Sequence, residues 1–274
     1  MARNSSDNGN TLVGVSIALS VLQIGLVAAR FYTRRLQRER YGWDDWVMLI
    51  ALAGSLAKAV IYIVMVKVGG LGYHLPDPHH PAQIPILIKK GFWVVELLDF
   101  PLTIAPAKIS LLFFYVRIFC TPKFRVFAYL VGSLVLGIGI AMLFQTIFHC
   151  SPIDYSWNKT STHGTCIDQM LVYRIISPIN VLTGILILVM PMPLVWGLHA
   201  PKGQKLALTG VFMLGGLGAV VSVRWVVLYF EHSKSEQYVI WFSVKLSILA
   251  VTEGAILIIT PCLVSIWPLL TRML

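Results

Sequence analysis

Seven ionisable side chains stand inside long apolar stretches of this sequence: Lys58, Glu96, Asp99, Lys108, Arg224, Lys245 and Glu253. A charged group inside a bilayer costs about 2.5–3.5 kcal/mol on insertion scales, so such groups are candidates for a functional site. In a water-poor cavity they can bind the polar head of a ligand or transfer protons. The expected ligand contacts are Lys58, Glu96, Asp99, Lys108, Arg224 and Lys245, and the expected acid–base groups, if the protein is an enzyme, are Asp99, Glu96 and Glu253.

Two of these acids, Glu96 and Asp99, are three residues apart and share one face of a helix. Pro101 and Pro106 follow them, and a proline inside a helix kinks it and frees backbone carbonyls. Together these features predict a polar cavity. The alternative is a set of structural ion pairs that tie helices together, with Lys58 extending toward the membrane surface.

The amino-acid composition indicates which kind of structure holds these ionisable side chains. The chain has 274 residues, of which 57% are hydrophobic and 12% charged, and its mean hydropathy is +0.77. A soluble domain has roughly 25% charged residues, so this composition excludes a typical soluble enzyme and predicts an all-α membrane protein. The net charge of +10 does not indicate nucleic-acid binding, because the basic residues fall mostly between the apolar runs.

A membrane span needs about 20 mostly apolar residues, and the sequence contains seven such runs. After a polar extracytoplasmic N-terminus (1–10), they form one domain over 11–271, at approximately 11–31, 44–67, 86–119, 125–148, 171–197, 205–230 and 239–270. Basic residues favour the cytoplasmic side. They cluster at the inner ends of spans 1 and 3 and in the connections that follow spans 1, 3 and 5, at Arg30, Arg34, Arg35, Arg38, Arg40, Arg117, Lys123, Arg125, Lys202 and Lys205. We therefore expect the N-terminus outside and the C-terminus in the cytoplasm.

The connection between spans 4 and 5 is expected outside the cytoplasm. It contains the glycosylation sequence Asn158-Lys159-Thr160 and two cysteines, Cys150 and Cys166. That compartment permits a disulfide between the cysteines, although two free thiols are the alternative. Six histidines also lie in or beside the outer connections, but their spacing matches no zinc motif, so no metal site is expected. They are His74, His79, His80, His149, His163 and His232.

Two further charged positions have ordinary interpretations. Asp44, at the start of span 2, is expected to cap the helix N-terminus, where its carboxylate meets free backbone amides. Arg117, at the inner end of span 3, is expected to extend toward the membrane surface.

A series of motifs in a fixed order resembles the fungal rhodopsin-like family of seven-helix integral membrane proteins. The resemblance covers nearly the whole chain and rests on Arg30-Phe-Tyr-Thr-Arg-Arg35, Gly42-Trp-Asp-Asp-Trp46, Lys108-Ile-Ser-Leu-Leu-Phe-Phe-Tyr-Val-Arg-Ile-Phe119, Cys150-Ser-Pro-Ile-Asp-Tyr-Ser-Trp157, Cys166, Pro191-Met-Pro-Leu-Val-Trp196, Gln204-Lys205 and Ser222-Val-Arg224. The family includes receptor-like members and members encoded in secondary-metabolite clusters. It implies a multi-pass location in the plasma membrane or an endomembrane.

The name of that family raises retinal as a cofactor. Lys245 in span 7 could form the Schiff base, with Asp99 or Glu96 as its counter-ion. However, Trp241 stands one turn earlier, where microbial rhodopsins typically have an aspartate. We therefore expect no cofactor.

Two functions remain open. The first is a receptor-like protein that binds a small amphipathic ligand in an outward-facing polar cavity. The second is a membrane-embedded acid–base enzyme of the cyclase or isomerase type, or an accessory protein, acting on a hydrophobic natural product. Receptor-like members usually continue into a long cytoplasmic tail, whereas this sequence ends at Leu274, which favours the second. The sequence has no recognisable catalytic signature, which favours the first.

Overall fold

The computed structural model describes residues 3–38, 41–71, 83–118, 121–156, 164–192, 215–224, 226–227 and 239–273. The helices in these ranges are α1 (Arg3–Leu36), α2 (Trp43–Lys67), α3 (Gln83–Asp99), α4 (Ala105–Ile118), α5 (Pro122–Ile147), α6 (Gln169–Val189), α7 (215–224) and α8 (Val239–Met273). A π-helical turn, Phe100–Ile104, joins α3 to α4. Two short strands, β1 (Cys150–Ser151) and β2 (Thr165–Cys166), pair antiparallel around the 3₁₀ turn Ile153–Ser156.

Among the residues that the structure describes, six helical segments are long and apolar enough to cross a membrane. They are Gly9–Leu36, Trp43–Lys67, Ile86–Arg117, Pro122–Ile147, Leu171–Val189 and Ser243–Ile266. The expectation of an all-α, multi-pass membrane protein is therefore confirmed. Of the predicted span 205–230, the structure describes only 215–224 and 226–227, and these residues are helical.

Helix α8 lies in the interior, where it packs along α1 and also contacts α2 and α4. Its buried residues Val251, Ala255, Ile258 and Cys262 recur every three or four positions, as on one face of a helix. Helix α5 instead points large apolar side chains outward, among them Val126 and Leu130. Such an outer surface suits contact with lipid.

Helix α1 begins at Arg3, ahead of the predicted start at residue 11. From Gly9 onward, α1 packs against the end of α2. A Cβ atom on Gly9 would be 3.0 Å from the carbonyl oxygen of Leu71, and Leu12 is fully buried. Local polarity alone did not reveal this contact.

The π-helical turn lies where Pro101 and Pro106 interrupt the third span. Because Pro106 has no N–H, it cannot bond the carbonyl of Leu102, four residues earlier. Helix α2 approaches this carbonyl through a glycine: a Cβ atom on Gly54 would be 2.5 Å from the oxygen of Leu102. The predicted distortion of the third span is thus packed tightly against α2.

Replacing Gly54 with alanine should therefore force α2 away from the π-helical turn. We expect a loss of about 1–3 kcal/mol in stability, as for overpacked cores. Gly25→Ala is the matched control, because a Cβ atom there meets nothing within 4 Å. Thermal unfolding of both variants in detergent, followed by tryptophan fluorescence, measures the difference. Equal melting temperatures for the two variants would contradict the close-approach argument.

Candidate functional site

An ion pair between Lys58 and Asp99 joins α2 to the end of α3. The Lys58 ammonium donates to Asp99 Oδ1 and also to the carbonyl oxygen of Ala250 in α8, at 3.2 Å. The Lys58 side chain is fully buried, while the Asp99 side chain is 26% exposed. Gly254 leaves room for this lysine, because a Cβ atom on that glycine would be 3.3 Å from Nζ. The pair connects three helices and leaves the carboxylate accessible from one side.

Glu96 lies one turn before Asp99 and has neutral partners. Gln169 donates from Nε2 to Glu96 Oε1, and Tyr173 also hydrogen-bonds this carboxylate. Gln169 and Tyr173 are four residues apart on α6, so one face of that helix supplies both contacts. The two acids predicted to share a helix face thus meet different neighbours.

A second polar chain runs through Asn180 of α6. Lys108 donates to the Asn180 carbonyl oxygen at 2.9 Å, to Asn180 Oδ1 at 2.5 Å and to Thr183 Oγ1 at 3.0 Å. Asn180 Nδ2 donates to Glu253 Oε1 at 3.1 Å, and Ser222 Oγ donates to the same oxygen at 2.6 Å. One amide therefore connects a buried lysine to a buried glutamate. This series of hydrogen bonds joins α4, α6, α7 and α8.

We call the five buried or half-buried ionisable groups of these contacts the polar band: Lys58, Glu96, Asp99, Lys108 and Glu253. Sequence reasoning found all five, because each interrupts an apolar run. It did not find their uncharged partners, Gln169, Tyr173, Asn180, Thr183 and Ser222. Neutral polar residues are common in spans, so no sequence signal distinguished these.

Two other predicted ligand contacts, Arg224 and Lys245, lie elsewhere. Both side chains are exposed. In the described part of the chain, the groups that contact the three acids of the polar band are Lys58 and the neutral side chains above. The structure therefore does not bring Arg224 and Lys245 together with these acids.

The positions of Lys245 and Asp99 show whether the protein could hold retinal as a Schiff base. A Schiff-base lysine needs a buried side chain with a nearby carboxylate as counter-ion. Lys245 is exposed, and Asp99 is paired with Lys58. The residues present do not fit this cofactor.

A separate cluster of buried charges ties the other end of the bundle together. The arginine cluster consists of Arg30 and Arg34 of α1 with Asp44 and Asp45 of α2. Arg30 Nη2 is 2.6 Å from Asp44 Oδ2, Arg30 Nε is 2.9 Å from Asp45 Oδ1, and Arg34 contacts both acids. All four residues are buried. The cluster is electrically balanced, with two positive and two negative charges.

Helices α4 and α8 also reach the arginine cluster. Arg30 Nη1 donates to the carbonyl oxygen of Pro261 at 2.8 Å and to Ser265 Oγ at 2.7 Å. Arg117 Nη1 lies 3.8 Å from Asp44 Oδ1, with 37% of its side chain exposed. The cluster thus links four helices.

The predicted helix-capping role of Asp44 is wrong. The residue that precedes α2 is Gly42, and its backbone N–H donates to Asp45 Oδ2 at 3.1 Å. Asp44 instead binds Arg30 and Arg34. The signal was present in the sequence: two arginines one helical turn apart end the first span, and two aspartates begin the second. The capping rule is local to one helix and does not consider a partner on another helix.

The loop between α5 and α6 contains the expected disulfide, Cys150–Cys166, which connects β1 to β2. His149 lies beside these two sulfurs, but cysteines in a disulfide are not available as thiolate ligands. Partial burial lowers the pKa of His149, so this imidazole stays neutral near pH 7. The other five outer histidines and Asn158 lie outside the described residues.

A groove of about 450 Å³ lies at the start of α5, away from the polar band. It is lined by Pro122, Lys123, Val126, Phe127 and Leu130. None of the predicted ligand contacts lines it.

The fold and the buried charges define the class of this protein: a multi-pass α-helical membrane protein with ionisable groups between its helices. Residues 29–272 match the fungal rhodopsin domain. The chain therefore belongs to the fungal rhodopsin family, as the resemblance of its motifs implied.

Curated relatives include both cluster proteins and a receptor. The chain is 28% identical to polyenoic acids biosynthesis gene cluster protein Ba17b of Metarhizium anisopliae, over 92% of this chain and 71% of that protein. It is 31% identical to phomoidride biosynthesis cluster protein H from a Fungal sp. isolate, over 68% of this chain and 74% of that protein. It is 28% identical to receptor GIN3 of Arthrobotrys oligospora, over 76% of this chain and 49% of that protein. No solved structure matches the chain.

Proposed function

We propose that the chain forms a seven-span bundle with its N-terminus outside and its C-terminus in the cytoplasm. The six described spans and the helical residues 215–224 support the count. The basic residues that follow spans 1 and 3 support the orientation, since such residues favour the cytoplasmic side. In this arrangement the disulfide lies outside and the arginine cluster lies at the cytoplasmic end.

We further propose that the outer half of the bundle binds a small amphipathic ligand at Lys58, Glu96 and Asp99. The observation that carries this proposal is a difference between two ion pairs of the same molecule. In the Arg30–Asp45 pair both side chains are 0% exposed, whereas in the Lys58–Asp99 pair the lysine is 0% and the aspartate 26% exposed. Another molecule cannot reach the enclosed pair, whereas it can reach the exposed part of the Asp99 carboxylate. The open carboxylate beside a π-helical turn suits contact with a ligand.

A second candidate function is acid–base chemistry on a hydrophobic natural product, or an accessory role in making one. It is favoured by the relatives that are named as biosynthesis cluster proteins. In this case Asp99, Glu96 and Glu253 are the candidate proton carriers, since carboxylates in a water-poor site can act as acids or bases. Lys108 and Asn180 would then orient Glu253.

Retention of small molecules by the purified protein tests the ligand-binding proposal. We expect the wild type in nanodiscs, after incubation with an organic extract of the organism that makes it, to retain at least one compound detectable by mass spectrometry. Asp99→Asn should retain about five- to tenfold less of it, because the amide keeps the shape but loses the charge, and a hydrogen bond to a charged group contributes about 1–1.5 kcal/mol more than one to a neutral group. Conversion of the retained compound over time would instead identify an enzyme.

Asp168→Asn is the matched control, because it makes the same change on an exposed side chain near the start of α6. It should retain the compound at the wild-type level. Equal retention by wild type and Asp99→Asn would refute the role of Asp99, provided that both proteins remain monodisperse.

A further inference from the structure

The polar band holds one more acid than base. It contains three carboxyl groups and two ammonium groups, so its formal charge is −1 when all are ionised. Lys58 contacts Asp99 directly, and Lys108 is connected to Glu253 through Asn180. Both lysines of the polar band are therefore assigned to an acid other than Glu96. Glu96 is the acid of the band that remains without a basic partner among the described residues.

The contacts of Glu96 fix its orientation, and neither hydrogen-bond partner is a base. Gln169 and Tyr173 supply hydrogen bonds from α6, and Asp99 adds a second negative charge nearby. A carboxylate in a low-dielectric site attracts a positive charge more strongly than the same group in water. The electrostatics at Glu96 therefore favour a cation.

Aromatic side chains accompany this carboxylate. Phe92 and Trp93 precede Glu96 by four and three residues, so they share its face of α3. The indole N–H of Trp93 donates to the carbonyl oxygen of Thr146 at 2.8 Å, which fixes that ring against α5. Phe92 packs into the buried group that contains Tyr62. Aromatic faces attract ammonium groups, and they provide an apolar surface for a carbon chain.

We infer that the ligand of this site has a protonated amine as its polar head, which binds the Glu96 carboxylate while its apolar part lies along the aromatic side chains of α3. This inference rests on the proposed function, namely that the outer half of the bundle binds a small amphipathic ligand. Lys58 disfavours an approach of the amine to Asp99 and so directs it to Glu96.

Three probes of equal chain length and different head groups test the inference: decylamine, decanol and decanoic acid. The protein is placed in nanodiscs of zwitterionic lipid, and its melting temperature is measured against probe concentration. Decylamine should stabilise the wild type more than the other two probes. Glu96→Gln should raise the half-maximal decylamine concentration about 10- to 100-fold, which corresponds to the loss of a charge-assisted hydrogen bond.

Asp168→Asn controls for general attraction of the amine to a negative protein surface, and it should respond as the wild type does. Partition of the amine into lipid is common to all variants and cancels in the comparison. The glutamine can still accept the bond from Gln169, so the variant should melt close to the wild type without probe; if it does not fold, Glu96→Asp replaces it and should respond to decylamine.

Each other outcome overturns the inference. Stabilisation by decanol or decanoic acid that equals or exceeds that by decylamine would show that the site does not select an amine. If that stabilisation is lost in Asp99→Asn, the proposed ligand site stands and only the assignment of the amine fails. If no probe stabilises the wild type, the amine assignment also fails, while retention of compounds from the extract still decides the proposed function.

Discussion

Replacing Arg30 with alanine should destabilise the protein by about 3–5 kcal/mol, the largest effect that we expect from a single substitution. Arg30 is completely buried, and its guanidinium contacts both Asp44 and Asp45. Removing one partner of a buried ion pair leaves an uncompensated charge in a medium that solvates it poorly. The substitution also removes the bonds to Pro261 and Ser265, which connect α1 to α8. The measurement is the melting temperature and the monodisperse fraction in detergent.

The matched control is Arg35→Ala, which removes the same type of side chain from an exposed position in the same helix. It should change stability by less than about 1 kcal/mol. If Arg30→Ala and Arg35→Ala have the same melting temperature, the arginine cluster does not stabilise the bundle.

Replacing Lys58 with methionine should have the second largest effect, also about 3–5 kcal/mol, because it leaves Asp99 without its positive partner. The double variant Lys58→Met/Asp99→Leu should recover most of this loss, since apolar pairs of similar volume often replace buried ion pairs at little cost. Melting curves of the wild type, both single variants and the double variant give the coupling between the two residues.

The same double variant separates stability from function. If Asp99 contacts a ligand, the protein should regain its melting temperature but still fail to retain the compound that the wild type binds. A double variant that is stable and retains the compound normally would show that this ion pair serves only to join α2 and α3. Asp99→Leu alone should be less stable than the double variant, because it leaves the fully buried Lys58 charge unpaired.

The apolar runs of the sequence were sufficient to predict the class of fold. A run of about 20 apolar residues in hydrocarbon must bond its own backbone, and only a helix does so within one segment. Helix α2 accordingly runs from Trp43 to Lys67. The sequence also indicated the Cys150–Cys166 disulfide, because both cysteines stand in one short connection. The break in the third span followed from Pro101 and Pro106, since proline cannot complete the helical hydrogen bonds.

The partner that each charge meets depends on the packing of the helices and could not be predicted from the sequence. The spacing of Glu96 and Asp99 placed both acids on one helix face, but it did not show that Lys58 reaches Asp99 while Gln169 and Tyr173 reach Glu96. The local rule for Asp44 failed because two buried arginines bind this carboxylate more strongly than free backbone amides do. The cost of an isolated charge in an apolar run is visible in the sequence, whereas the group that compensates it lies on another helix and is set by how the helices pack.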